Sequence, residues 1–183
     1  MNDKRMVQVS KFLSKHLRHE PEAIGLTLQP GGWVEVELLL DAVNRASVNL
    51  TRAELDELVR RSDKQRFAFD ASGARIRANQ GHSVEVDLQL EPVVPPDVLY
   101  HGTAEHVLAL IFAEGLKKMD RHHVHLSDDL ATAVKVGQRH GKPVVLSVDA
   151  AAMRDAGTPF YRSANGVWLV EAVAPEYLQV IDR

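Results

Sequence analysis

Three prolines fall within five residues, at Pro92, Pro95 and Pro96. Proline fixes φ, lacks an N–H and biases the residue before it away from helix, so this run cannot sit inside a helix or a paired strand. It predicts a linker over residues 91–97. The chain then divides into a first lobe, 1–90, and a second, 98–183. For 183 residues two small domains are an ordinary outcome. The overall expectation is an α+β protein.

The first lobe reads as three helices and a hairpin. Over residues 4–18, Val9, Phe12, Leu13 and Leu17 recur at helical spacing while Lys11, Lys15 and Arg18 fall off the stripe. Pro30, Gly31 and Gly32 mark a turn before a short strand, Trp33 to Val36, and residues 37–46 read as a second helix. Thr51 and Glu54 have capping-box spacing ahead of Leu55, Leu58 and Val59, which opens a third helix. Phe67–Phe69 and Arg75–Arg77 flank a turn, Asp70 to Gly73, and read as a hairpin. This order is that of a winged-helix module. Val84 to Leu90 alternates apolar and polar residues and predicts one more strand.

The second lobe mixes types. Strands are expected over 98–101, 123–126, 143–148, 166–170 and 177–181. Helices are expected over 104–114, with Thr103 as N-cap and Gly115 as stop, and over 128–139. Many short strands with few helices point to a mixed sheet rather than a doubly wound one.

The chain has no cysteine, which rules out disulfides and thiolate chemistry. A net charge of −3 argues against broad nonspecific nucleic-acid binding but leaves room for a local anion site. No signal-peptide core or membrane-length apolar run is present, so a soluble, cytoplasmic protein is expected.

Cationic residues cluster at Arg18-His19, at Lys64 and Arg66, at Arg77 with His82, and at Arg121, His122, His123 and His125. Guanidinium binds phosphate oxygens bidentately and keeps its charge. The plainer readings stand beside this one. Arg18 and His19 end a helix, where cations favour the dipole, and surface arginines such as Arg66 are common. His123 and His125 share one strand face, a spacing that zinc can use, but no further ligand pattern accompanies them and no metal is expected. Tyr100-His101-Gly102-Thr103 reads as a strand-to-helix turn, suited either to a nucleotide or to ordinary capping.

Taken together, the motifs resemble the RNA 2′-phosphotransferases of the KptA type. They are Ser10–Ser14 leading to Leu17-Arg18-His19-x-Pro21, Ser62–Phe67, Ile76–Ser83, and Leu99–Thr103. Gly115-Leu116, Arg121-x-x-Val124-His125-Leu126-Ser127, Val136–Leu146 and Asn165–Leu169 follow in order. The resemblance implies a winged-helix-like RNA-binding lobe and an NAD⁺-binding, ADP-ribosyltransferase-like mixed β-sheet lobe. It implies an essential Arg-His-Arg-Arg set at Arg18, His19, Arg66 and Arg121. His101, Gly102 and Thr103 would line the nicotinamide-ribose pocket, with Ser127 and Arg139 as further cofactor contacts. Lys64, Arg77 and His82 would touch the RNA. NAD⁺ would be a co-substrate, and the partner an RNA with an internal 2′-phosphate, tRNA among the candidates. A monomer is expected.

Two other functions fit parts of the sequence. An ADP-ribosyltransferase that stops after the first transfer would use a late-strand glutamate, for which Glu171 is the candidate. A noncatalytic winged-helix regulator that senses NAD⁺ would need a basic recognition helix, which the sequence lacks.

Overall fold

The computed structural model describes residues 1–62 and 64–181. Asp63, inside the Ser62–Phe67 motif, lies outside the described residues. The chain separates into two compact units, Met1–Gln89 and Leu90–Arg183. Its structure mixes α and β, with six α-helices and several small antiparallel sheets among the described residues.

The first unit opens with α1, Asp3–Arg18. The Asn2 side chain accepts from Arg5 N at 2.9 Å, and Lys15, His16 and Arg18 sit in the last turn, where they complement the dipole. The expected stripe buries Val9, Leu13 and Leu17, with Phe12 at its edge. Then come β1 (Val34–Glu35), α2 (Val36–Arg45), α3 (Arg52–Arg61), β2 (Phe67–Phe69) and β3 (Arg75–Ala78). The strands pair antiparallel in the order β1-β3-β2. The capping box at Thr51 and Glu54 is formed from both sides. Val36, expected as a strand end, starts α2 instead. Its N–H bonds Ala74 O at 2.8 Å, and β1 pairs with β3 only at Val34 and Glu35. Leu13, Leu17, Leu39, Leu55, Leu58 and Ile76 form the centre of this unit's core.

The strand expected over Val84 to Leu90 does not form. Its backbone groups find other partners. Val84 N reaches Arg18 O at 3.3 Å, Asp87 O takes the N–H of Gly31, and the Asp87 carboxylate takes the N–H of Gln89 at 2.8 Å. Gln89 adopts φ 54, outside the extended region.

The second unit contains β4 (Val98–Ala104), α4 (Leu108–Glu114), β5 (Leu116–Lys117), β6 (Val124–Leu126), α5 (Leu130–Gly137) and β7 (Pro143–Asp149). These are followed by α6 (Ala150–Asp155), β8 (Tyr161–Arg162), β9 (Trp168–Val170), β10 (Ala172–Val173) and β11 (Leu178–Val180). The sheets are β11-β7-β4, β6-β9-β8 and β10-β5, all antiparallel. The Pro-rich residues carry no regular structure. Val93 N bonds Phe160 O at 2.8 Å, and Asp97 O accepts from Ala151 N at 3.0 Å.

The strand-to-helix turn expected at Tyr100–Thr103 is a correction. β4 runs through these residues to Ala104, paired with β7 from Val98↔Asp149 to Ala104↔Pro143. A full ladder against a seven-residue partner outweighs a single threonine cap. Thr103 is therefore no N-cap. A 3₁₀ turn over Glu105–Val107 intervenes before α4. The other expected helix is capped by Asp129, whose carboxylate accepts from Ala131 N and Thr132 N.

Candidate functional site

In the first unit, three of the four residues of the Arg-His-Arg-Arg set come together. Arg18 ends α1 and His19 is its C-cap. An Arg18 guanidinium N–H points at Arg66 O at 3.5 Å, so the end of α1 lies against the residue that precedes β2. Arg18 O accepts from Ser83 N at 2.9 Å, and the Ser83 hydroxyl lies 2.8 Å from His19 Nδ1. The same Arg66 carbonyl is held by a second donor. Asn79 N donates to Arg66 O, and Asn79 Nδ2 donates to Gln65 O.

The expected RNA contacts differ among themselves. Lys64 is exposed. Arg77 is half-buried, stacked 4.5 Å from the Trp33 ring centroid and bonded to Gly31 O at 3.2 Å. Burial pushes its pKa down. His82 is only 1% exposed.

In the second unit, β4 and β6 belong to different sheets and meet at one bridge. Tyr100 and Ser127 exchange both backbone bonds there, at 2.8 and 2.9 Å. His101 Nδ1 lies 3.1 Å from His125 O, and His125 Nδ1 lies 3.2 Å from an Arg121 guanidinium nitrogen. His101, His125 and Arg121 thus form one chain of contacts. Burial lowers the pKa of His101; the His125 carbonyl opposes this, while the charges of His140 and Arg121 add to it. Burial also lowers that of His123.

Ser127 is tied into the loop as well. Its hydroxyl accepts from Asp129 N and donates to Asp129 O. Arg139, just after α5, is exposed. Glu171 is exposed and paired with Lys118. Gly102 permits a close approach, but by the protein itself. A Cβ there would run into the carbonyl oxygen of Ala133 on α5, and one on Gly137 would lie 2.7 Å from Thr103 O.

Sequence reasoning placed Ser83 at the end of the Ile76–Ser83 motif but gave it no role, and passed over Asn79; their tertiary partners supply what the sequence left out. A groove of about 470 Å³ in the second unit is lined by Asp97, Ser147, Asp149, Arg154, Glu176 and Tyr177 among others, and by none of the expected site residues. Among the described residues no His, Asp and Glu group is placed to hold a metal, and no helix is long and apolar enough to cross a membrane.

Comparison with known proteins identifies the family. The model of a family described as "RNA 2′-phosphotransferase, Tpt1 / KptA family" matches residues 4–172. A "Probable RNA 2′-phosphotransferase" of Nostoc punctiforme is 62% identical over 99% of this chain and all of its own length. One of Trichormus variabilis is 57% identical with both chains fully covered. Another, of Shigella boydii, is 50% identical over 97% of each chain.

Proposed function

The chain belongs to the RNA 2′-phosphotransferase, Tpt1/KptA family, and from that membership we propose that it moves an internal RNA 2′-phosphate onto NAD⁺. Nicotinamide, 2′-hydroxyl RNA and ADP-ribose 1″,2″-cyclic phosphate are the products. The observation that carries the reading is the meeting of Arg18, His19 and Arg66, held through Ser83 and Asn79 from distant parts of the first unit.

The first unit acts as a winged-helix RNA lobe and the second as an ADP-ribosyltransferase-like lobe. The donor set of the second unit fits an anionic dinucleotide. Arg121 contacts His125, whose carbonyl meets His101 Nδ1, so a fixed cation lies in this part of the unit and suits an anionic co-substrate. On β4, His101 serves the nicotinamide-ribose end, with Gly102 and Thr103 contributing backbone only because α5 fills the space beside Gly102 and Thr103 is buried, and Ser127 and Arg139 serve the rest of the co-substrate.

The reaction is a double displacement. The RNA 2′-phosphate attacks the ribose carbon bearing nicotinamide, through an oxocarbenium-like transition state. Nicotinamide departs as a neutral molecule, so no strong general acid is required. The 2″-hydroxyl of the resulting RNA-phospho-ADP-ribose then attacks the bridging phosphorus, and the RNA 2′-oxygen leaves and takes up a proton. Both steps join or rearrange anions, and fixed cations stabilise the charge that shifts among phosphate oxygens. Arg18, Arg66 and Arg121 supply those cations. His19 orients the phosphate or moves the proton of the second step. Of the expected RNA contacts, exposed Lys64 suits a backbone phosphate better than stacked Arg77 or buried His82.

The test is incubation with an RNA carrying one internal 2′-phosphate, with and without NAD⁺. Conversion to 2′-hydroxyl RNA plus ADP-ribose cyclic phosphate, only with NAD⁺, is expected. Accumulation of an RNA-ADP-ribose adduct without cyclic phosphate would replace this reading with that of a single-step ADP-ribosyltransferase.

A further inference from the structure

Ser83 makes two contacts of different kinds with the end of α1. Its backbone N–H donates to Arg18 O at 2.9 Å, and its hydroxyl meets His19 Nδ1 at 2.8 Å. The first survives any side-chain replacement that keeps the backbone; the second belongs to the hydroxyl alone. Residues 64 positions apart in the chain are brought together by this bond. Both side chains are exposed, where a hydrogen bond adds little to stability because water replaces it readily. Its consequence is orientational. An imidazole bonded at Nδ1 cannot turn freely about its χ angles, so the bond fixes where the ring's other edge points, whether the hydroxyl donates to Nδ1 or accepts from it.

We propose that Ser83 is a positioning residue for the transfer: its hydroxyl fixes the orientation of the His19 ring through Nδ1. This rests on the reading of His19 as a participant in the reaction. The arrangement has the logic of a base oriented by a third group, in which the orienting residue touches no substrate. Ser83 also ties that orientation to the neighbouring arginine, since the same residue pins the carbonyl of Arg18 through its backbone.

The experiment uses the full chain, an RNA with one internal 2′-phosphate, and NAD⁺ under single-turnover and steady-state conditions. Ser83→Ala, Ser83→Thr, His19→Ala and the double variant Ser83→Ala/His19→Ala are compared. Ser83→Ala is expected to lower kcat by about tenfold, the order of effect seen when an orienting hydrogen bond is removed, with KM for NAD⁺ unchanged. Ser83→Thr, which keeps the hydroxyl, restores the rate. On the His19→Ala background the Ser83 change adds nothing. Nitrogen relaxation NMR of the labelled imidazole shows an ordered His19 ring in the unmodified protein and a more mobile one in Ser83→Ala. Wild-type kcat and an equally ordered His19 ring in Ser83→Ala, with His19→Ala defective, would overturn the proposal and leave the reading of His19 intact. A further rate loss from Ser83→Ala on the His19→Ala background would also overturn it, because the hydroxyl would then act through something else. Wild-type turnover in His19→Ala would instead remove the reading on which the proposal stands.

Discussion

At the scale of single residues, charge and close approach decide the outcome. Arg18 ends α1 with its guanidinium against Arg66 O. Arg18→Ala is expected to lower turnover by about 10²- to 10³-fold, as for loss of one preorganised transition-state donor. Arg18→Lys should rescue poorly, because an ammonium lacks the planar fork. Turnover of both variants, beside thermal melts that show the fold intact, checks this. Gly102 makes the opposite kind of prediction. Any side chain there meets Ala133 O, so Gly102→Ala should cost about 3 kcal/mol or more by strain. Urea unfolding measures it, and an unperturbed midpoint would mean that α5 can move off β4. The clustering of cations at Arg18-His19 and Arg121–His125 was readable from the chain. Which of them touch, and through which of their atoms, was not, because the answer lies in tertiary contacts such as those of Ser83 and Asn79.

At the scale of elements, local chemistry was the most legible. The α3 capping box was predicted from Thr51 and Glu54, and both of its bonds form. Arg5 adds an ion pair to Glu54 at 2.9 Å. Thr51→Ala should cost about 1 kcal/mol in denaturant unfolding. The hairpin turn between β2 and β3 carries a pH signature. Arg75, then Ser72 and the Arg75 backbone N–H, hold the Asp70 carboxyl at about 2, below its ordinary 3.8. The folded pKa is depressed, so the stabilisation is fully present above the unfolded value and fades as pH falls from about 4 toward 2. Asp70→Asn should therefore be less stable than the parent protein at neutral pH, with the gap closing across that window. A constant gap from pH 7 to pH 2 would show that the charge is not its source. Strand lengths were the weak point. β4 outran its expected end because β7 offered it a partner as far as Ala104, and Val84 to Leu90 failed as a strand because no ladder took up its backbone. Alternation shows a capacity to pair, and pairing needs a neighbour that sequence periodicity does not reveal.

At the scale of the whole chain, two cores answer to two units. The Leu13, Leu39, Leu55 and Ile76 cluster lies within residues 1–89, and the Leu99, Leu146, Phe160 and Trp168 cluster within the second unit. A fragment of residues 1–89 should fold alone, with cooperative unfolding and slow amide exchange at Leu13, Leu55 and Ile76. A fragment without a cooperative transition would mean that its core needs more of the chain.

By itself the sequence determined what is local or compositional. Proline chemistry kept residues 91–97 out of regular structure, apolar periodicity placed most of the helices, the Thr51–Glu54 capping box set the start of α3, and the ordered motifs carried the family. These follow from interactions within a few residues or from residue type alone. Tertiary structure decided the rest. It extended β4 through His101, Gly102 and Thr103, gave the space beside Gly102 to α5, buried His82, stacked Arg77 on Trp33, and seated the Ser83 hydroxyl on His19. Each of these depends on a partner far away in the chain, and the energy of such a contact exists only once folding has brought the two together.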